Sequence, residues 1–143
     1  MSDILHEFPI RAQMKKVFEG ISTPAGLDRW WTRNSAGTPS AGAEYELGFG
    51  PGYSWRARVT RCVPDTEFEL KMTSADSDWT GTSIGFRLDE RDGSTWVSFR
   101  HTGWKEVNGH FRISSYCWAM YLRVLTRFLE RAETVQYEDR LKV

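Results

Sequence analysis

The chain has 143 residues, and its 19 basic and 19 acidic side chains cancel to a formal charge of zero. Proteins that bind nucleic acid or acidic membranes concentrate cationic charge, and this sequence has neither a cationic surplus nor a basic run. The composition therefore excludes a dedicated nucleic-acid binder. Its length fits one domain over residues 1–143, large enough to bury a core without disulfides or a structural metal.

The sequence predicts a cytoplasmic protein. The first residues lack the charged start and apolar stretch of a secretion signal, and no run of apolar residues is long enough to span a membrane. Cys62 and Cys117 each lie inside an apolar element, which favours two buried free thiols over a disulfide. Free thiols are typical of a reducing compartment.

The first third of the chain predicts one strand and two helices. Residues Ile4–Ile10 alternate in polarity and predict a strand. Apolar residues over Met14–Ile21 recur at i, i+3, i+4 and i+7, which predicts an amphipathic helix. Thr23 as N-cap and proline after it predict a short second helix over Pro24–Trp31. The segment Thr32–Ala43 is rich in Gly, Ser, Pro and Thr and predicts a loop.

The middle of the chain predicts an antiparallel meander. Short turn sequences separate segments in which apolar and polar residues alternate, so one face of the sheet is expected to be buried and the other solvated. The predicted strands are Glu44–Phe49, Tyr53–Val63, Glu67–Met72, Thr82–Leu88 and Thr95–His101.

The last predicted element is a long helix from Ser115 to about Ala132, with a broad apolar face at helical spacing. Such a helix needs a broad concave surface to cover it, and the inner face of the meander supplies one. The fold class is therefore α+β, a helix-grip arrangement in which a curved antiparallel sheet wraps around the C-terminal helix.

Aromatic residues make up 14% of the chain, more than a minimal core of this size needs. The alternation points several of them, with one histidine, into the space between sheet and helix, where they either fill the core or surround a cavity for a hydrophobic molecule. The predicted ligand-binding residues are Tyr45, Trp55, Phe86, His101, Trp118 and Tyr121. Adjacent helical residues point about 100° apart, so one of Trp30 and Trp31 should pack on the core while the other covers the cavity mouth.

Chemically reactive groups are sparse. The histidines His6, His101 and His110 have no metal-ligand spacing, so neither a metal nor a cofactor is predicted. His101 is the one weak catalytic candidate, because an inward-facing histidine at a cavity rim can titrate near neutral pH. His6 is expected on the same inner face, and His110 in a solvated loop.

Four stretches resemble one protein family. They are RAQMKKVFEGISTPAGLDRWW from Arg11, RVTRCVPDTEFEL from Arg58, STWVSFRHTGW from Ser94 and SSYCWAMYLRVLTRFLE from Ser114. Together they resemble the SRPBCC, or START-like, superfamily, in its branch of activator of heat shock protein ATPase homologues. The resemblance implies a helix-grip fold with a deep hydrophobic cavity, in a family of lipid or polyketide carriers, aromatase/cyclases, plant hormone receptors and co-chaperone-like domains.

Three functional hypotheses follow. The leading one is a domain without catalytic activity that binds a hydrophobic or aromatic small molecule between helix and sheet. The second is a cyclase or dehydratase that uses His101 as acid and base. The third is an interaction module, a homodimer or a chaperone-associated protein, with an outer aromatic patch of Trp30 or Trp31, Trp96 and Trp104.

Overall fold

The computed structural model describes residues 1–143 and shows a seven-stranded antiparallel sheet. The strands are β1 Ser2–Ile10, β2 Asn34–Ala36, β3 Glu44–Gly48, β4 Ser54–Val63, β5 Glu67–Ser74, β6 Ser83–Arg91 and β7 Ser94–Trp104. Their order in the sheet is β1-β7-β6-β5-β4-β3-β2. Strands β3 to β7 form the predicted meander, and the N-terminal strand β1 pairs with β7 at one edge.

The two faces of the sheet differ as the alternation predicts. On the inner face Phe68, Phe86 and Phe99 lie side by side on β5, β6 and β7 and are buried. On the outer face Arg100 pairs with Glu69 at 3.0 Å, within a surface of charged side chains. The sheet therefore presents one apolar surface, which the helices cover.

Three α-helices follow the pattern of a helix grip. They are α1 Met14–Ser22, α2 Pro24–Leu27 and α3 Gly109–Arg131, and a 3₁₀ helix over Tyr137–Lys142 ends the chain. The hydroxyl of Thr23 accepts a hydrogen bond from the Gly26 amide, which confirms the predicted cap of α2. None of the helices is both long and apolar enough to cross a bilayer. The predicted α+β helix-grip class is confirmed.

The helix α2 ends at Leu27 and not at Trp31. The amides of Trp30, Trp31 and Thr32 all donate to the Leu27 carbonyl, so the chain tightens into a turn. Trp30 and Trp31 therefore lie in a turn, and the expected divergence of adjacent helical residues, with only one of the two on the core, is wrong. Both indoles are buried and stack with centroids 6.1 Å apart.

The helix α3 begins six residues before the predicted start, at Gly109 instead of Ser115. Glycine costs about 1 kcal/mol inside a helix relative to alanine and hides the start in the sequence. The Asn108 side chain compensates by accepting the Phe111 amide at 2.9 Å. His110 therefore stands on the first turn of α3 and not in a solvated loop.

Candidate functional site

An open cavity of about 370 Å³ lies between the N-terminal half of α3, the β3–β4 hairpin and the β5–β6 connection. Most of its walls are aromatic, and its volume lies in the range of roughly 300–1,000 Å³ typical of small-molecule sites. The lining residues are Trp31, Phe49, Tyr53, Trp55, Asp76, Trp79, His110, Ile113, Ser114, Cys117, Trp118, Tyr121 and Tyr137.

A second depression, of about 410 Å³, lies between β1 and α3. Only three of its eight lining residues are hydrophobic, against ten of thirteen in the aromatic cavity. An apolar lining with a few polar groups is the usual character of a ligand site. The aromatic cavity is therefore the candidate functional site.

Five rings in this cavity form a closed circuit, here called the aromatic pentad: Trp31, Phe49, Trp55, Trp79 and Trp118. Around the circuit in that order, successive ring centroids are 5.4, 4.9, 5.0, 5.7 and 5.2 Å apart, the last distance closing from Trp118 to Trp31. Contacts of this length and tilt are favourable for aromatic rings. Each ring therefore has two neighbours in the circuit, and the wall of the cavity is preformed.

The pentad has both satisfied and free polar atoms. Nε1 of Trp79 donates to Ser114 Oγ at 3.3 Å, and Nε1 of Trp118 donates to His101 Nδ1 at 3.0 Å. The indole N–H groups of Trp31 and Trp55 have no hydrogen-bond partner in the protein. These two nitrogens are not buried, because Nε1 of Trp104 is the only buried side-chain nitrogen or oxygen that lacks a partner. The N–H groups of Trp31 and Trp55 therefore reach solvent and can donate to a bound molecule.

His101 lies behind the pentad, fully buried, and does not line the cavity. Because the Trp118 indole can only donate, Nδ1 of His101 accepts and Nε2 carries the proton. Nε2 then donates to Thr82 Oγ1 at 2.7 Å, and that hydroxyl donates to the Trp79 carbonyl. Burial, with a smaller contribution from His110, lowers the pKa of His101 to about 3.

The imidazole of His101 is consequently neutral at physiological pH, and both ring nitrogens have protein partners. General acid or base catalysis requires a nitrogen within reach of a substrate. The geometry gives His101 a structural role and offers no support for the cyclase or dehydratase hypothesis at this residue.

Three other residues predicted for the site lie in the packed core. Tyr45 is fully buried, and its hydroxyl donates to the Ser22 carbonyl at 2.5 Å. Phe86 packs edge-on against Trp30, whose indole N–H donates to the Gly20 carbonyl at 2.9 Å. None of the three, Tyr45, Phe86 or Trp30, lines the cavity. They face the space between sheet and helix, but at a point where other side chains fill it.

Trp55, Trp118 and Tyr121 line the cavity, as does Trp31 of the predicted mouth pair. Tyr121 lies one turn after Trp118 on α3 and contacts it with ring centroids 6.2 Å apart. Burial raises the pKa of Tyr121 to about 12, so its hydroxyl stays protonated and can donate.

Two acidic residues and one histidine lie near the cavity mouth. His110 and Asp76 line it, and His110 Nδ1 lies 3.0 Å from Asp78 Oδ2. The carboxylate of Asp76 forms no hydrogen bond or ion pair within the protein, so it is available to a bound molecule. No group of three or more His, Cys, Asp or Glu side chains is arranged to hold a metal ion.

The C-terminal segment closes the remaining wall. The Tyr137 hydroxyl donates to the Phe49 carbonyl at 3.2 Å, and Arg140 is buried beneath it. The Arg140 guanidinium donates to the carbonyls of Thr32 at 3.0 Å and Asp28 at 2.7 Å. These bonds fix the 3₁₀ helix against the turn between α2 and β2 and hold Tyr137 at the cavity.

The outer aromatic patch expected of an interaction module does not form. Trp104, like Trp30 and Trp31, is buried, and its ring packs 4.9 Å from His101. Trp96 does lie on the outer face, but Glu7 accepts its N–H at 2.8 Å and the Arg91 guanidinium covers its ring at 4.7 Å. Trp96 therefore packs against residues of its own chain at the surface and is not a free contact for a partner protein.

The fold, a curved sheet wrapped around a long helix, matches that of a known family. Residues 11–130 fit the family model described as Activator of Hsp90 ATPase homolog 1-like protein, AHSA1. The chain belongs to this family. The resemblance of the four sequence stretches is thereby confirmed. No curated protein matches the chain.

Solved structures share the AHSA1-like fold. The Aha1 dimer from Colwellia psychrerythraea is 28% identical, with 93% of this chain and 99% of that chain covered and a TM-score of 0.84. The protein BH1534 from Bacillus halodurans is 22% identical over 91% of this chain and 98% of that chain, with a TM-score of 0.76. CalU16 from Micromonospora echinospora is 17% identical over 98% of this chain and 81% of that chain, with a TM-score of 0.76. The last two similarities show the fold alone.

Sequence reasoning missed Trp79 and most of the α3 residues that line the cavity. Trp79 lies within the connection between β5 and β6, where strand alternation assigns no direction to a side chain. The sequence feature that could have identified Trp79 is its position as a single large apolar residue in a polar segment, since such a tryptophan is expected to pack against other residues. His110, Ile113 and Ser114 were missed because α3 begins earlier than the periodicity indicates.

Proposed function

We propose that this AHSA1-like chain binds an apolar or aromatic small molecule in the cavity between α3 and the β3–β4 hairpin. The observation that carries the proposal is the aromatic pentad in the wall of an open cavity of about 370 Å³. Ten of its thirteen lining residues are hydrophobic, and an apolar lining with a few polar groups is the usual character of a small-molecule site.

The pentad suits a flat apolar molecule. Its members come from the α2–β2 turn, both sides of the β3–β4 hairpin, the β5–β6 connection and α3, so the wall is held by separate elements of the fold. Such a wall changes little when a ligand binds. It therefore loses less conformational entropy on binding than a flexible site would lose. The free N–H groups of Trp31 and Trp55 add directional contacts for a hydrogen-bond acceptor on the ligand.

A fluorescence titration with N-phenyl-1-naphthylamine, an uncharged apolar probe, tests the proposal. We expect saturable binding at one site, and Trp55→Leu should weaken it about tenfold, the loss of roughly 1.4 kcal/mol of ring contact. Trp96→Leu is the matched control, since it removes an indole on the outer face of the same sheet. Absence of saturable binding, or equal effects of the two substitutions, would contradict the proposal.

Native mass spectrometry of freshly purified protein complements the titration. A retained molecule would add a fixed mass to the native chain and would reveal the chemical class of the ligand. The Trp55→Leu protein should lose that added mass while the Trp96→Leu protein keeps it.

Self-association is a second candidate, supported by the dimer of the Aha1 protein that is 28% identical. In this chain Ile113 and Tyr116 on α3 are 63% and 69% exposed, and Val107 just before the helix is 50% exposed. Light scattering across a range of protein concentrations distinguishes monomer from dimer, and Tyr116→Ser should shift a dimer towards monomer. A protein that stays monomeric at every concentration would exclude this candidate.

A further inference from the structure

The charges around the cavity are unevenly distributed. Its lining includes the carboxylate of Asp76 and contains no lysine or arginine. The second acid at the mouth, Asp78, is bonded to His110, whereas the Asp76 carboxylate has no partner. The rim of the cavity therefore has one carboxylate that no other side chain of the lining pairs with.

Two arginines lie behind one end of the cavity, against the Tyr137 ring of its lining. Arg33 and Arg140 each lie 5.3 Å from the ring of Tyr137, at the end of the cavity formed by the C-terminal segment. Arg140 is bonded to backbone carbonyls, and Arg33 pairs with Glu138 at 3.4 Å. Asp76 belongs to the β5–β6 connection, next to Trp79 of the pentad.

Aromatic faces attract cations because their π electrons make the face negative. This protein already uses that interaction at three rings, since arginines lie over Phe128, Trp96 and Tyr137, of which only Tyr137 lines the cavity. No arginine or lysine lies over a ring of the pentad. An aromatic enclosure with a free carboxylate and no internal cation has the composition of a site for an organic cation.

Building on the proposed ligand-binding function, we infer that the cavity selects an organic cation, an amine or quaternary ammonium on an apolar or aromatic body. The charged nitrogen lies against Trp55 and Trp79, beside Asp76, and the apolar body extends towards Trp31 and Trp118. The carboxylate contributes long-range attraction, and the rings replace part of the hydration of the cation.

Two probes of the same shape isolate the charge: phenyltrimethylammonium, and tert-butylbenzene, in which carbon replaces the charged nitrogen. We expect the cation to bind at least about fivefold more tightly, as a partly desolvated cation–π contact implies. Tryptophan fluorescence or indole N–H chemical shifts report both titrations.

The substitution Asp76→Asn should lower the preference for the cation about two- to threefold, as for an exposed charge pair, with the affinity for tert-butylbenzene unchanged. Asp89→Asn, which removes a carboxylate at a position far along the sheet, should leave the preference intact. Equal effects of the two variants would overturn the role of Asp76.

The outcomes separate this inference from the function on which it rests. If tert-butylbenzene binds as tightly as phenyltrimethylammonium, the selectivity for cations is refuted while the ligand site stands. If N-phenyl-1-naphthylamine binds in a Trp55-dependent manner and phenyltrimethylammonium does not bind, the inference alone fails. If none of the three probes binds, both fail.

Discussion

The buried histidine makes the stability of this protein sensitive to acid in a calculable way. Burial lowers the pKa of His101 from 6.5 to about 3, so the folded chain resists a proton that the unfolded chain accepts. The resulting contribution to stability is fully present above pH 6.5 and is lost progressively as the pH falls from 6.5 towards 3. A proton on Nδ1 would also remove the acceptor of the Trp118 N–H.

The size of the effect follows from linkage. Between pH 7 and pH 5 the unfolded state gains most of one proton at His101, whereas the folded state gains almost none. This difference in proton binding lowers the free energy of unfolding by about 2 kcal/mol at pH 5 relative to pH 7. This value depends little on the folded pKa as long as that pKa lies below about 4. The substitution His101→Asn removes the titration and places an amide oxygen near the position of Nδ1.

Urea unfolding followed by tryptophan fluorescence at several pH values measures the difference. We expect the native chain to lose about 2 kcal/mol more than the His101→Asn chain between pH 7 and pH 5. His6 and His110 are present in both proteins, so their contributions cancel. Parallel loss of stability in the two proteins would refute the assignment of a neutral, hydrogen-bonded His101.

Three further substitutions test the elements that hold the site. Asn108→Ala should cost about 1 kcal/mol of unfolding free energy through loss of the α3 cap, measured by urea unfolding; an unchanged midpoint would contradict the cap. Tyr45→Phe should cost about 1 kcal/mol through the lost bond to Ser22 and leave probe binding intact, since Tyr45 does not line the cavity. Arg140→Met should cost about 2 kcal/mol of unfolding free energy by leaving buried carbonyls without donors. The same substitution should weaken the binding of N-phenyl-1-naphthylamine, because it releases Tyr137 from the cavity wall. Unaltered binding would show that the C-terminal segment does not form that wall.

The sheet could be predicted because its alternation extends over several strands. Each apolar residue of Phe68, Leu70 and Met72 is separated from the next by a charged one, and this pattern fixes both the strand and its buried face. The strand β2 was missed because Asn34–Ala36 is short, polar and paired only with β3. This segment is a strand because its backbone pairs with β3, and its own residues give no sign of that pairing.

The site was harder to predict than the fold because alternation gives the face of a strand but not the depth of a residue along the sheet. Tyr45 and Trp55 both point inward from neighbouring strands. Tyr45 lies opposite Ala57, in the packed core beneath α1, whereas Trp55 lies near the hairpin, where α3 leaves space. That difference depends on the position of α3 above the sheet, which is a property of the assembled fold.

The polar atoms of the aromatic residues explain why the cavity stays open. Trp30, Tyr45 and Trp118 bury their N–H or O–H groups in bonds to Gly20, Ser22 and His101, respectively. Turning any of these rings into the cavity would break its bond and leave a buried donor or acceptor unpaired, at a cost of about 1–3 kcal/mol. The indoles of Trp31 and Trp55 have no such bond, but each packs between two members of the pentad. The rings that could fill the cavity are therefore fixed by hydrogen bonds behind it or by ring contacts around it, and the open volume persists as a consequence of both.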